Sequence, residues 1–341
     1  MQSLVWAGVT SFLCALGFTF WARRAALRLG ILDHPNARSS HVRPTPRTGG
    51  IAIFLAMIAG LAWRGPGVID TPAHGAFLLG LAGITALGFW DDRRGLSPFV
   101  RLVFQTTLAA VFVGFAGGVD RLPLPPPFDL GLGGLGMPMA ILWIVAVINF
   151  YNFIDGIDGL AGLQAVVTGL GLAALGFDPL ASVAGISIAG ASLGFLAHNW
   201  SPARIFLGDA GSGLLGFAFA ALPLLAPRES RSATVLFAAT SLWFFLADAV
   251  WTLARRVARG DRWYEAHREH LYQRLVHSGL SHASVTTGLG TASSLVTAAA
   301  LSGWGGPVVA LGLAGLLFGG EVGLVVWRTR HPPAATAVIR S

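Results

Sequence analysis

Lysine is absent from the 341 residues, so all 23 basic side chains are arginine. Charge of either sign is scarce: 11% of the residues are charged, against about 25% in a typical soluble domain. That shortage excludes a surface turned mainly to water. The single cysteine, Cys14, excludes a disulfide framework within the chain. No internal repeat is evident, which leaves the inverted-repeat architecture of many transporters without support. A soluble Arg-rich module is also missing, so the net charge of +7 does not point to nucleic acid.

What is present is apolar. Hydrophobic residues make up 54% of the chain, and the mean hydropathy is +0.66. A soluble core cannot absorb that much apolar surface, so the expected solvent is lipid. The 45 glycines suit helices that pack closely in a membrane. Eleven apolar runs are candidate spans: Leu4–Ala22, Thr48–Trp63, Gly75–Trp90, Val100–Gly118, Met137–Phe153, Gly159–Gly176, Leu180–Ala197, Gly211–Ala226, Ala233–Ala254, Val285–Trp304 and Pro307–Trp327. The first is too long for a signal-peptide core and lacks a basic leading segment, so it reads as a retained helix. The expected fold is an all-α, polytopic transmembrane bundle of about eleven spans. Residues 1–330 form one membrane domain, and 331–341 a short cytoplasmic tail.

Arginine sets the orientation. Nineteen of the 23 fall in alternate loops beginning at Arg23; the opposite loops hold Arg64, Arg121, Arg228 and Arg231. The positive-inside rule places the N-terminus outside and the C-terminus in the cytoplasm. The stretch from Asp120 to Gly136, rich in Pro and Gly, reads as a short structured turn over the outer surface.

Five polar clusters fall on the inner side. The first, Asp33 to Gly50, is a Pro- and Gly-punctuated loop that offers Arg38, His41, Arg43 and Arg47 to an anion or to lipid headgroups. The second is Asp91-Asp92-Arg93-Arg94-Gly95. Adjacent carboxylates at a membrane boundary need a cation or arginines beside them, and Mg²⁺ prefers such oxygen ligands. The third runs from Asn149 through Asn152, Asp155 and Asp158 to Gly159. A continuous helix would turn Asp158 away from Asn149, so the glycine after each Asp predicts a break that leaves these groups facing one pocket. The fourth, His198 to Gly213, sets Asp209 between Gly208 and Gly211 at a helix start. Free amides there suit a phosphate, while an Asp also suits a plain cap. The fifth holds His267, Arg268, Glu269 and His270, two histidines on one face if helical. Zinc is disfavoured there, since no HExxH and no second cysteine exist. Together these groups are the parts of metal-assisted phosphoryl transfer.

Five segments, in order, resemble the polyprenyl-phosphate N-acetylhexosamine-1-phosphate transferases of bacterial glycosyltransferase family 4: DHPNARSSHVRPTPRTGG from Asp33, DDRRGLSP from Asp91, NFYNFIDGIDGLAG from Asn149, RIFLGDAGSG from Arg204 and HREHLYQRL from His267. The resemblance implies a multi-pass protein of the bacterial inner membrane with a cytoplasmic active site. It implies Mg²⁺, with Mn²⁺ as an alternative. The implied reaction moves the 1-phosphate of an N-acetylated amino sugar from a UDP-sugar to undecaprenyl phosphate and releases UMP, starting a cell-surface polysaccharide.

By the same resemblance Asp209, Asn152 and Asp92 contact the metal. Asp91 is a base or lipid-phosphate positioner, and Asp155 and Asp158 hold the nucleotide with Asn149 nearby. His267, His270, Arg38, His41 and Arg204 face phosphates. The absence of lysine and the His-Arg-Glu-His order depart from the muramoyl-pentapeptide branch and lean toward O-antigen-type initiation, with a 6-deoxy N-acetylated sugar as the nearest pattern. The muramoyl-pentapeptide transferase remains an alternative. So does a transporter, since Asp248 and Glu321 lie within spans and resemble a proton relay. A homodimer is an assembly open to the chain.

Overall fold

A computed structural model describes residues 2–35, 44–64, 66–122, 124, 127–262, 267–302 and 306–331. Its helices are α1 (Gln2–Leu29), α2 (Gly49–Leu61), α3 (Pro72–Arg94), α4 (Pro98–Ala116), α5 (Gly136–Ile154), α6 (Leu160–Leu175), α7 (Pro179–Asn199), α8 (Gly208–Ala221), α9 (Arg228–Ser241), α10 (Trp243–Ala258), α11 (Leu271–His277), α12 (His282–Leu301) and α13 (Gly306–Arg330). Several starts carry their own signal. Thr71, Ser97 and Asp178 each accept an amide from the first turn of α3, α4 and α7, and each is followed by proline. Proline there gives up only an amide that the helix leaves unpaired anyway.

The all-α expectation holds. Seven helices are long and apolar enough to cross a bilayer, or up to eight if α9 and α10 are one bent span; α2 and α6 are shorter apolar helices. The ninth apolar run is therefore two helices, bent by 74° at their junction. The first inner loop is closed at its base by a two-stranded ladder, β1 (Leu32–Asp33) against β2 (Thr45–Pro46). Over the opposite end, Arg121 bridges Gly131 and pairs with Asp129 at 2.9 Å, so the described residues of the Asp120–Gly136 turn are structured as its composition predicts.

The centre of the bundle is α7 and α8, which are mostly buried, whereas α1, α4 and α13 are mostly exposed. Outer helices leave large side chains such as Trp21, Phe99 and Leu316 exposed, as lipid-facing surfaces do. Small residues bring backbones together around α8. A Cβ on Gly50 of α2 would lie 2.1 Å from the Gly211 amide nitrogen. Chain 46–50 also runs beside 206–207: the Phe206 amide donates to Pro46 O at 2.7 Å and the Gly50 amide to Leu207 O at 2.8 Å. This seam ties the first inner loop to the start of α8.

Gly50→Ala is expected to lower the thermal unfolding midpoint in detergent, because the clash is with backbone that cannot step aside; overpacking of this kind costs ~1–3 kcal/mol. Gly114→Ala on α4 meets nothing within 4 Å and serves as the control, with a midpoint unchanged or slightly raised.

Candidate functional site

Four helix ends meet on one side of the bundle: the end of α3 with Asp91 and Asp92, the start of α4 with Arg101 and Gln105, the end of α5 with Asn149 and Asn152, and the start of α8 with Asp209 and Ser212. A small cleft lies between them. Asp91, Arg101, Gln105, Asn149, Asn152 and Asp209 line it above apolar Ile84, Leu87 and Ile148.

The two adjacent aspartates take different partners. Asp91 accepts from Arg101 Nη1 at 2.9 Å and from the Leu96 amide at 2.6 Å. Asp92 turns the other way, toward α8. It accepts the Asp209 amide on Oδ1 at 3.0 Å and the Ala210 amide on Oδ2 at 3.1 Å. Arg47 donates to the Asp92 main-chain carbonyl, and its Nε lies 3.7 Å from Oδ1. The arginines that balance the acid pair are thus Arg101 and Arg47, while Arg93 and Arg94 are exposed. Gly208 makes the approach possible: its φ is +74°, and a Cβ would sit 2.7 Å from Asp92 Oδ2.

This overturns the expectation of free amides at the start of α8. Asp92 takes two of them, those of Asp209 and Ala210, and the side chain of Asp209 is left for the cleft. Asp209 Oδ1 accepts from Asn152 Nδ2 at 2.5 Å, and the same nitrogen reaches Ser212 Oγ at 2.9 Å. Oδ2 of Asp209 has no hydrogen-bond partner among the described residues. Asn149 donates to Gln105 Oε1 at 2.8 Å.

Helix α5 ends at Ile154, as the glycine pattern predicts, but the two following aspartates part company. Burial, then repulsion from Asp209 and Asp92, holds the Asp155 carboxyl well above the usual range. Asp158 points elsewhere. Its Oδ2 accepts the Ala203 amide at 3.1 Å and lies 3.3 Å from His282 Nδ1. Burial pushes its carboxyl up, yet these hydrogen bonds more than offset that and hold it below the usual range. The expectation that Asp155 and Asp158 share one pocket with Asn149 is therefore corrected: Asp158 fastens the α5–α6 turn to the loop before α8 and to α12.

The fifth cluster docks on the same end. Residues 267–270 are not helical, contrary to the conditional reading, but the His267 and His270 rings lie 4.9 Å apart. Tyr272 Oη donates to Phe153 O at 3.0 Å, which sets this loop beside Asn152. Burial, helped by the charges of His270 and Arg256, pushes His267 down to about 4, so its ring is neutral at physiological pH. His267 Nδ1 and Arg268 Nε are buried with no partner among the described residues. Asp248 is no relay at mid-bundle: it is fully buried and accepts the Leu271 amide at 3.0 Å at the start of α11. Glu321 is buried without a hydrogen bond among the described residues, and nothing described explains it. Arg204 is exposed; Arg38 and His41 lie outside the described residues.

Arg101 and Gln105 escaped the sequence reading. Their signal was present: two polar residues one helical turn apart in an otherwise apolar run.

The donor set suits a hard divalent cation. Asp209, Asn152 and Asp155 present carboxylate and amide oxygens, and mutual repulsion among Asp92, Asp155 and Asp209 calls for positive charge. No group of three His, Cys, Asp or Glu among the described residues forms a metal cage by itself. Mg²⁺ is commonly held in that way, by one or two carboxylates with water and substrate phosphate completing its shell.

Residues 74–226 match the family described as glycosyl transferase family 4, a segment that contains every cleft residue. Over 293 residues the chain is 30% identical to the probable undecaprenyl-phosphate N-acetylglucosaminyl 1-phosphate transferase of Bacillus subtilis (strain 168), covering 83% of this chain and 80% of that protein. It is 31% identical over 322 residues to the decaprenyl-phosphate N-acetylglucosaminephosphotransferase of Mycobacterium tuberculosis (strain ATCC 25618 / H37Rv), covering 84% and 78%. A Salmonella typhi relative, named undecaprenyl-phosphate alpha-N-acetylglucosaminyl 1-phosphate transferase, is 29% identical over 294 residues, covering 80% and 76%. With a family match across the cleft and relatives aligned over most of their length, the chain belongs to the polyprenyl-phosphate N-acetylhexosamine-1-phosphate transferases of glycosyl transferase family 4.

Proposed function

We propose that the protein transfers N-acetylglucosamine 1-phosphate from UDP-N-acetylglucosamine to undecaprenyl phosphate, giving the lipid-diphosphate-linked sugar and UMP. The observation that carries the reading is the cleft in which half-buried Asp209 and Asn152 face Asp91 and Arg101 at one end of an apolar bundle. The names of the relatives support N-acetylglucosamine over the 6-deoxy sugar and over the muramoyl-pentapeptide substrate. The transporter alternative loses its support, because Asp248 is spent on the start of a helix.

An oxygen of the lipid phosphate attacks the phosphorus that bears the sugar. The new P–O bond forms as the bond to the bridging oxygen of UMP breaks, and UMP leaves with that electron pair. Both reactants are anions, so positive charge must be in place beforehand. Arg101, aimed by Asp91, receives one phosphate, and the histidine loop with Arg268 faces the other. Asp209 and Asn152, with Asp155 beside them, would hold Mg²⁺, which would supply charge neutralisation where negative charge builds up. Asp92 contributes through the backbone it holds and not as a ligand.

The protein crosses the inner membrane eleven times, with α2, α6 and α12 as spans and α9–α10 as one, and the cleft opens to the cytoplasm. The arginine asymmetry supports this, as does the gathering of alternate helix ends at the cleft. With Cys14 replaced, single cysteines at positions 70 and 129 are expected to react with an impermeant label outside intact cells, and one at 261 to stay unlabelled. Labelling at 261 would reverse the orientation.

Purified protein given undecaprenyl phosphate and a panel of UDP-N-acetylhexosamines is expected to release UMP with UDP-N-acetylglucosamine. Failure with the whole panel would remove the transferase reading. Asp209→Asn keeps the size and loses the charge. It is expected to insert and fold normally while turnover drops by roughly 100-fold or more, the scale of lost electrostatic stabilisation. Near-normal turnover across a Mg²⁺ titration would return Asp209 to a structural role.

A further inference from the structure

His270 stands at the end of a chain of contacts that begins inside the bundle. Asp248 on α10 is completely buried. Its Oδ1 lies 3.1 Å from His270 Nδ1 and also accepts the Leu271 amide at 3.0 Å and Thr252 Oγ1 at 2.9 Å. Its Oδ2 takes the Tyr272 amide at 3.4 Å. The ring is held from its faces as well: it stacks on Tyr272 with centroids 5.9 Å apart and lies 6.2 Å from Phe153. Phe153 follows Asn152 directly, so a ring pinned here is pinned relative to the cleft.

A carboxylate only accepts hydrogen bonds, so the nitrogen facing Asp248 must carry a proton. That leaves Nε2 as the one ring nitrogen able to act elsewhere, and which nitrogen is protonated follows from the partner of the other. We propose that Asp248 is a positioning residue for the transfer reaction, holding the His270 imidazole with its proton on Nδ1 so that Nε2 alone addresses the substrates. The inference rests on the transferase reading above and adds to it a residue buried outside the cleft. Capping α11 and aiming His270 are separable tasks, since the amides of Leu271 and Tyr272 need an acceptor while the imidazole also feels the charge.

Two measurements test this on the full-length protein in nanodiscs. In the first, ¹⁵N-histidine spectra of the wild type, with the His270 signals identified by their loss in His270→Gln, are expected to show a protonated Nδ1. In the second, Asp248→Asn preserves an acceptor for the helix amides, because Asn and Asp cap about equally. Its kcat is expected to fall about 10–100-fold, the scale known for metal-bound histidines that lose an orienting carboxylate, with KM for the UDP-sugar little changed. Added to His270→Ala, the same substitution is expected to cost nothing more, because both act through one ring. An unprotonated Nδ1 in wild-type protein that transfers sugar phosphate would overturn the role of Asp248 alone. Losses that multiply in the double variant would do the same and leave Asp248 a helix cap. Wild-type protein that releases no UMP would instead overturn the transferase reading itself.

Discussion

Asp92, on the last turn of α3, gives one carboxylate oxygen to each of the first two side-chain-bearing amides of α8, and the rest of the cleft is arranged around that clamp. Helix starts leave amides unpaired. In a bundle surrounded by lipid there is little water to pair them, and an orphan costs several kcal/mol. A buried anion is the natural partner, because the start of a helix carries about half a positive charge. The clamp also dictates geometry. With its amide taken, Asp209 can reach the cleft only through its side chain, and Asn152 then fixes one of its two oxygens.

The same device recurs at α11, where Asp248 takes the first amides and the His270 ring. At each start two of the helix amides that elsewhere cradle phosphate are thus taken by an Asp from within. Near the cleft, His267 Nδ1 and Arg268 Nε are buried without a partner among the described residues, and Asp155 is crowded by the charges of Asp209 and Asp92.

Glycine makes the crowding possible. Gly50 and Gly208 allow two separate chain segments to touch the first turn of α8 at distances that no Cβ would permit. The first inner loop, the end of α3 and the start of α8 are therefore one unit, although more than a hundred residues separate Asp92 from Asp209.

Much of this was legible in the chain itself. Hydropathy alone located every long helix, because lipid demands runs of apolar residues whatever their neighbours. Cap residues and prolines marked the starts of α3, α4 and α7, and the glycines after Asp155 and Asp158 marked a real break. The chemistry-bearing residues were legible as types: acids, amides, histidines and arginines at polar interruptions of apolar runs. Their partners were not. Asp91 and Asp92 are neighbours in sequence yet face Arg101 and α8 respectively, and Asp155 and Asp158 likewise diverge. The 74° bend between α9 and α10 left no mark in an apolar run. Asp248, one acid among apolar residues, resembled a relay until α11 was seen to start on it. Sequence reports burial and residue type, which are local properties. Which lone pair meets which amide depends on the approach of distant segments to within 3 Å, and only the packed helices decide that.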